Sequence, residues 1–192
     1  MSQKILVILG HPNSQSFCQA LVEQYVFGAQ SRQKEVRVLT LNQLSFDPVL
    51  HGGYNRDQVL EPELIKAQQD ILWADHLTFV YPIWWGGIPT LLKGFIDRTF
   101  LPGFAFKYHQ NDPWWDRLLT GRSADLLVTM DTPPWYFRWV SKMPGHNQMK
   151  KTTLEFCGIK PVKIKDFGSV RTATPKQKEK WLLQANVMGQ NA

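Results

Sequence analysis

The sequence alternates between short apolar runs and segments with helical periodicity, and this alternation is its strongest constraint on the fold. Runs rich in Ile, Val, Leu and Phe predict β-strands, and amphipathic segments predict the helices between them. The predicted strands are residues 5–9, 35–41, 76–81, 124–129 and 162–167, and the predicted helices are residues 16–30, 62–73, 88–100, 147–156 and a closing helix from Pro175. Parallel neighbours need crossovers that cover both faces of a sheet. The predicted fold class is therefore α/β, a doubly wound five-stranded parallel sheet with helices on both faces.

Length and composition favour a single domain over residues 1–192, since 43% of the residues are apolar and can form one core. The chain passes directly into an apolar strand-like run without a signal-peptide pattern, and no apolar run approaches the roughly 20 residues of a membrane span. We therefore expect a cytoplasmic protein without membrane insertion. Cys18 and Cys157 form no metal-type cluster and indicate reduced thiols, so no metal site is expected.

The net charge of +6 is concentrated near the carboxyl terminus, because residues 146–192 contain nine Lys or Arg and only three Asp or Glu. A basic region of this kind can attract nucleic acid or an anionic cofactor. These lysines are scattered, however, in a pattern typical of a solvated helix face and of an edge strand protected by charge. We expect no nucleic-acid partner.

The loop after the first strand has the composition of an anion site. Residues 10–18 read GHPNSQSFC and lead into the first helix, where unpaired N–H groups and the helix dipole favour a phosphate. Ser14 and Ser16 are the candidate donors, and simple N-capping by one of them is the alternative. The loop matches neither the Rossmann fingerprint nor the P-loop, so those two nucleotide-binding classes are not supported.

The loop after the third strand contains two adjacent tryptophans and two glycines. Open α/β sheets bind ligands at the carboxyl ends of their strands, so Trp84 and Trp85 lie where a flat aromatic ligand is expected. Ordinary core packing of either indole is the alternative.

The loop after the fourth predicted strand, residues 130–139, is also rich in aromatic residues, which favours cover by a ligand or by a second subunit. Residues 42–61 and 110–121 are long irregular stretches that can form binding surfaces, lids or subunit contacts.

Together these motifs resemble the flavodoxin-like NAD(P)H dehydrogenase (quinone) family, which includes quinone reductase and the ancillary subunits of glutathione-gated potassium efflux systems. The resemblance covers roughly residues 4–170. It rests on His11-Pro and Ser16-Phe in the first loop, on LSFDPVL at residues 44–50, and on Pro82, Trp85, Gly87, Pro89, Leu92-Lys-Gly, Arg98, Phe100 and Phe104-Ala. It implies a parallel sheet in flavodoxin order with a flavin, FMN or FAD, across the carboxyl ends of the strands.

By position, the resemblance implies that three loops hold the flavin. His11, Ser16, Phe17 and Cys18 would surround the phosphate and the ribityl chain; Pro82, Ile83, Trp84, Trp85 and Gly86 would line the isoalloxazine ring, partly through backbone N–H groups; Thr129, Met130, Asp131 and Thr132 would form the third loop. Relatives commonly have Thr-Thr-Gly-Gly in the third loop and Asn at position 18. Side chains here therefore stand where a close approach of backbone to flavin is expected.

The activity implied by the resemblance is ping-pong two-electron transfer. NAD(P)H gives a hydride to flavin N5, and a quinone or similar aromatic acceptor then takes it from the same site. Tyr136 and His146 are the candidate proton donors, with a packed interface Tyr and a surface or helix-start His as the alternatives. The resemblance also implies a homodimer with its active site near the interface. A regulatory flavoprotein subunit of a membrane transporter and, below it, a flavodoxin-type electron carrier remain open.

Overall fold

The computed structural model describes residues 2–55 and 58–192 and contains the predicted five-stranded sheet. The strands of the chain are β1 (Lys4–Leu9), β2 (Glu35–Thr40), β3 (His76–Pro82), β4 (Phe106–Tyr108), β5 (Trp115–Arg117), β6 (Ser123–Met130) and β7 (Val162–Gly168). The main sheet has the order β2-β1-β3-β6-β7 with every neighbouring pair parallel, and β4 and β5 form a separate antiparallel hairpin. The predicted α/β class and the flavodoxin order of the strands are confirmed.

Helices cover both faces of the sheet. They are α1 (Phe17–Gln30), α2 (Pro62–Trp73), α3 (Thr90–Thr99), α4 (Pro134–Trp139), α5 (Pro144–Asn147) and α6 (Pro175–Gln190). Alternate residues of β1 enter two separate cores, one shared with α1 and α6 and the other with α2 and α3. Helices α1 and α6 cross so closely that a Cβ on Gly28 would lie 2.0 Å from the carbonyl oxygen of Asn186. Glycine is required at position 28, because any side chain there would clash with the backbone of α6.

Three predicted boundaries are wrong for identifiable physical reasons. The stretch 110–121 is not wholly irregular, because it contains β5, which pairs with β4 over only three residues and gives little periodic signal. The helix predicted at 147–156 begins earlier, at Pro144, and continues with π-type hydrogen bonding over Gln148–Glu155. Residues 134–139, expected to be loop, form the short helix α4, whose first turn accommodates Pro134.

The long loop at 42–61 is fastened to α3 by a buried arginine. Arg98 is 0% exposed, and its guanidinium donates to Glu61 Oε2 at 2.8 Å and to the Val59 carbonyl at 3.1 Å. A guanidinium presents several donors in one plane, which lets it join separate points of a loop. The loop is therefore held to α3 at Val59 and Glu61. Residues 56 and 57 of the predicted loop lie outside the described residues.

Both cysteines are buried free thiols, at Cys18 and Cys157. Within residues 2–55 and 58–192, no helix combines the length and the apolar character needed to cross a bilayer. The same ranges contain no group of three or more His, Cys, Asp or Glu side chains placed to hold a metal ion.

Candidate active site

A cavity of about 240 Å³ lies where β1, β3 and β6 end, and it brings together most of the residues predicted to bind a cofactor. Its lining comprises His11, Ser16, Phe17 and Cys18 from the first loop, Pro82, Ile83 and Trp84 from the second, Thr129, Met130, Asp131 and Thr132 from the third, and Val170. The predicted residues Trp85 and Gly86 are not in this lining. Val170 was not predicted as a site residue. It follows the end of β7, and because the carboxyl ends of all parallel strands lie at one edge of the sheet, this position could have been predicted from the sequence.

The first loop presents the start of α1 to the cavity. Ser16 is the N-cap, and its hydroxyl accepts a hydrogen bond from the Gln19 N–H at 3.3 Å. The N-capping alternative is therefore correct for Ser16, which still lines the cavity, whereas Ser14 is exposed and does not line it. Because the first N–H groups of a helix have no acceptor within that helix, Phe17 and Cys18 carry the backbone donors available to an anion here.

His11 joins the first loop to the second. Its Nδ1 accepts from the Asn13 N–H at 2.9 Å, and its ring meets that of Trp84 edge to face, with centroids 5.5 Å apart. Partial burial lowers the pKa of His11 below its ordinary value, against an opposing contribution from the bond to Asn13. His11 is therefore a neutral imidazole at neutral pH, bonded at one nitrogen and packed against an aromatic wall.

Cys18 and Thr129 meet inside the cavity, where Cys18 Sγ lies 3.2 Å from Thr129 Oγ1. Burial raises the pKa of the Cys18 thiol to about 12, and the bond to Thr129 opposes this only in part. The thiol is protonated at neutral pH, and burial therefore makes Cys18 a poor nucleophile.

The second loop is a tight turn with left-handed backbone. Trp84 and Gly87 exchange two hydrogen bonds of 3.0 Å, and between them Trp85 has φ of +52° and Gly86 φ of +78°. A bulky residue with positive φ is uncommon and costs about 1–2 kcal/mol. Trp84 is 45% exposed and lines the cavity, but the Trp85 indole is fully exposed. The sequence could not separate the two tryptophans, because the turn decides which indole faces the cavity.

Two backbone donors expected to serve a ring are already used within the protein. The Ile83 N–H donates to the Thr129 carbonyl at 2.8 Å, and the Trp84 N–H donates to the Gly87 carbonyl at 3.0 Å. These bonds fix the second loop against the third. The contribution of Ile83 and Trp84 to the cavity is therefore through their side chains and through the shape of the turn.

The third loop is tied to the segment after β7. Val170 N–H donates to the Met130 carbonyl at 3.0 Å, and Arg171 N–H donates to Asp131 Oδ1 at 2.8 Å. Only the second bond depends on a departure from the family pattern, because the Asp131 carboxylate accepts it, whereas Met130 uses its backbone carbonyl. Both Met130 and Asp131 belong to the cavity lining.

Neither candidate proton donor lines the cavity. Tyr136 lies on α4 and is 43% exposed. His146 lies on α5, is buried, and has its Nε2 2.7 Å from Asp166 Oδ1. The surface alternative for His146 is therefore wrong, and its imidazole is enclosed behind the second loop. Pairing with Asp166 was not predicted, because the two residues are on different elements and no local pattern joins them.

A sequence profile of the flavodoxin-like fold family matches residues 3–186, nearly the whole chain. The chain belongs to this flavodoxin-like family. A protein of Haemophilus influenzae named an uncharacterized NAD(P)H oxidoreductase is 30% identical to this flavodoxin-like chain over 180 residues, which are 91% of the chain and 88% of the relative. This likeness and the family match confirm the resemblance predicted from the sequence and support an oxidoreductase.

Solved structures confirm the flavodoxin-like architecture. An NAD(P)H:quinone oxidoreductase from Methanothermobacter marburgensis superposes with a TM-score of 0.84 at 21% identity, covering 100% of this chain and 99% of that one. An FMN-dependent NADH-azoreductase from Bacillus anthracis, solved with FMN, has a TM-score of 0.72 at 17% identity, covering 98% of each chain. At these identities the superpositions establish the fold alone.

Proposed function

We propose that this protein is a flavin-dependent NAD(P)H:quinone oxidoreductase that transfers a hydride equivalent through its flavin to quinones or similar aromatic acceptors. The observation that carries the proposal is the cavity, in which three separate loops bring together helix-start donors, hydroxyl groups and an aromatic wall. The Haemophilus influenzae relative is named an NAD(P)H oxidoreductase, and the Bacillus anthracis structure contains FMN. Both names support the same chemistry for this chain.

The first loop fits the phosphate of a flavin. The N–H groups of Phe17 and Cys18 and the positive end of the α1 dipole favour an anion, and the Thr129 and Thr132 hydroxyls line the same cavity. No Lys or Arg belongs to the described lining. The phosphate would therefore be held by backbone and hydroxyl donors, and we propose that Ser16 orients the helix start by capping it.

The second and third loops fit the ring. Trp84, Ile83 and Pro82 supply an apolar wall, while Met130, Asp131 and Thr132 approach from the third loop. The cavity of about 240 Å³ lies below the roughly 300–1,000 Å³ of typical small-molecule sites. A flavin would consequently be enclosed on one side and open on the other, as stacking of a nicotinamide and then a quinone requires. Gly86 and Trp85 would contribute through the shape of the turn.

When bound, the flavin supplies the capacity to accept a hydride from a reduced nicotinamide and to pass two electrons on to a quinone. The chain orients that group and restricts the access of water to it. We propose Tyr136 as the proton donor, because it is 43% exposed and lies on α4, which begins two residues after the third loop. The enclosure of His146 is better suited to a supporting role.

A homodimer and a cytoplasmic location belong to the same proposal. Large aromatic side chains are exposed on the second loop, on α4 and next to β5: Trp85, Trp135, Tyr136, Trp139 and Trp114. Exposed aromatic surface of this kind is typical of protein interfaces. We propose that a second copy covers part of this surface, which sedimentation of the purified protein tests directly.

The proposed cytoplasmic location is supported by the free buried thiols at Cys18 and Cys157, which are in keeping with a reducing compartment.

The test of this function is anaerobic spectroscopy of the purified protein. We expect a yellow protein whose flavin absorbance is bleached by NADH or NADPH and returns within the mixing time when a small quinone is added. The mass spectrum of the released cofactor then decides between FMN and FAD. A protein that binds neither flavin on reconstitution would contradict the proposal, and recovery only through a one-electron radical would identify an electron carrier instead.

A further inference from the structure

A buried histidine and an aspartate form a pair behind the second loop. His146 is 4% exposed, its Nε2 lies 2.7 Å from Asp166 Oδ1, and its ring meets that of Phe137 edge to face at 5.0 Å. Its Nδ1 is buried and has no hydrogen-bond partner in the part of the chain that the structure describes. The imidazole is therefore held in place by a single polar contact, the one to Asp166.

Asp166 belongs to the row of residues that crosses the sheet just below the cavity. In this row Tyr81 pairs with Val128 and Val128 pairs with Asp166. Burial, together with the nearby Asp166 carboxylate, raises the pKa of the Tyr81 phenol. The titratable groups facing this region are thus Asp166 from β7, Tyr81 from β3 and His146 itself, while α4 contributes the uncharged Phe137. Pro82 and Ile83, which follow Tyr81 in the chain, line the cavity.

Gly145 connects the pair to the second loop. Its N–H donates to the Gly86 carbonyl at 2.8 Å, next to the strained Trp85. A Cβ at position 145 would lie 2.8 Å from Ile83 Cδ1 and 2.9 Å from the Gly86 oxygen, so the two segments are in backbone contact. His146 is therefore adjacent in the chain to a residue that contacts the turn at Trp84–Gly87.

We propose that the Asp166–His146 pair is a positioning element for the second loop, which it holds through Gly145 so that Ile83 and Trp84 form a fixed wall of the cavity. We assign the Nε2–H tautomer to this imidazole, so that Nε2–H donates to Asp166 Oδ1. The positioning contact therefore requires an acceptor at position 166, and it does not require a charge there.

This requirement defines a conservative and a disruptive variant. Asp166→Asn places an amide oxygen where Oδ1 stands and keeps the acceptor, whereas Asp166→Ala removes it. His146→Phe keeps a ring against Phe137 and removes Nε2. It is the second disruptive variant and replaces Asp166→Ala if that protein does not fold. The matched control is Asp116→Ala, because Asp116 is an exposed carboxylate that also pairs with a histidine, His109, but on the separate hairpin.

The experiment is amide hydrogen exchange at Gly145, measured by NMR in flavin-free protein. We expect exchange about tenfold faster in Asp166→Ala and in His146→Phe, as follows from loss of one buried hydrogen bond, and rates within about threefold of wild type in Asp166→Asn and Asp116→Ala. Unchanged exchange in folded Asp166→Ala or His146→Phe would overturn the proposal. Exchange in Asp166→Asn as fast as in Asp166→Ala would overturn it as well.

The effect on the cavity wall partly rests on the proposed function. Flavin titration of the same proteins distinguishes failure of this inference from failure of the proposed function. We expect the flavin dissociation constant to rise about tenfold in Asp166→Ala and to recover in Asp166→Asn. If no variant and no wild-type protein binds flavin while the exchange rates follow the expected pattern, the proposed function is wrong and the positioning pair stands. If wild type binds flavin and Asp166→Ala binds it equally well, the positioning of the cavity wall is refuted.

Discussion

The two ends of the parallel sheet each contain a buried histidine beside an aspartate, and they differ in how completely the histidine is bonded. At the amino-terminal end, His76 Nδ1 lies 2.7 Å from Ser123 Oγ and Nε2 lies 3.2 Å from Tyr25 OH, which in turn donates to Asp125 at 3.0 Å. At the carboxyl-terminal end, His146 has only its Nε2 bonded. The His76 network joins α1 to strands β3 and β6, whereas the His146–Asp166 pair lies next to the second loop of the cavity.

This difference indicates how the fold divides stability from function. A buried polar network whose members bond to one another rigidifies the domain, because an unpaired buried group is costly. The Tyr25 network lies under α1 and bonds both nitrogens of His76, although Asp125 Oδ1 has no partner among the described residues. The carboxyl-terminal end instead contains helix-start donors, a strained turn and an incompletely bonded imidazole. Such features are expected of a ligand site. Perturbing the amino-terminal end should therefore affect the free energy of unfolding, and perturbing the carboxyl-terminal end should affect ligand binding.

The largest effect is expected for Asp125→Ala at the amino-terminal end. Asp125 is 2% exposed, and its removal leaves the Tyr25 hydroxyl without its acceptor and His76 without the carboxylate 3.5 Å from its Nε2. Breaking such a buried pair should lower the free energy of unfolding by about 3–5 kcal/mol, measured by urea denaturation. Flavin affinity of the folded fraction should stay unchanged. The exposed Asp116→Ala should stay within about 0.5 kcal/mol of wild type, and an equal loss in both variants would refute the distinction.

Gly145→Ala should have the largest effect on the cavity. The new Cβ meets Ile83 Cδ1 and the Gly86 oxygen at under 3 Å, so the second loop must move. We expect a loss of about 1–3 kcal/mol in stability, typical of overpacking, with flavin affinity reduced by tenfold or more. Gly28→Ala, which crowds the crossing of α1 and α6, is the matched control and should reduce stability without weakening flavin binding in the folded protein. Normal flavin affinity in Gly145→Ala would contradict the assigned cavity wall.

Alkaline pH should destabilise both ends through their buried thiols. Burial raises the pKa values of Cys18 and Cys157 from the ordinary 9.0 of a thiol to about 12. The unfolded chain therefore loses these protons first, so their stability contribution is complete below pH 9 and declines as the pH rises towards 12. The slope should be about 1.4 kcal/mol per pH unit for each thiol. Cys18→Ala and Cys157→Ala should each flatten the decline in urea unfolding between these limits; identical slopes in all three proteins would exclude this origin.

The smallest effect distinguishes the two adjacent tryptophans. Trp84 lines the cavity and Trp85 is fully exposed, so Trp84→Ala should weaken flavin binding by about 0.5–1.5 kcal/mol, the usual contribution of an aromatic contact. Trp85→Ala should leave the flavin dissociation constant within about twofold of wild type. Fluorescence titration measures both, and a larger loss in Trp85→Ala would show that the exposed indole folds back onto the ligand.

The sequence predicted the sheet well, because long apolar runs and helical periodicity are local signals. It also indicated most of the cavity, since residues directly following β1, β3 and β6 meet at one edge whatever their side chains. It could not distinguish Trp84 from Trp85, because the positive φ of Trp85 results from the bonds between Trp84 and Gly87. Nor could it pair His146 with Asp166, because that contact depends on how α5 sits over β7.

The most direct test of the cavity as a flavin site is titration of FMN and of FAD into flavin-free protein, followed by quenching of flavin fluorescence, for wild type and Gly145→Ala side by side. We predict saturable binding of one flavin per chain to wild type, and affinity at least about tenfold weaker in the variant. Absence of saturable binding of either flavin to wild type, or equal affinity in the two proteins, would contradict the assignment.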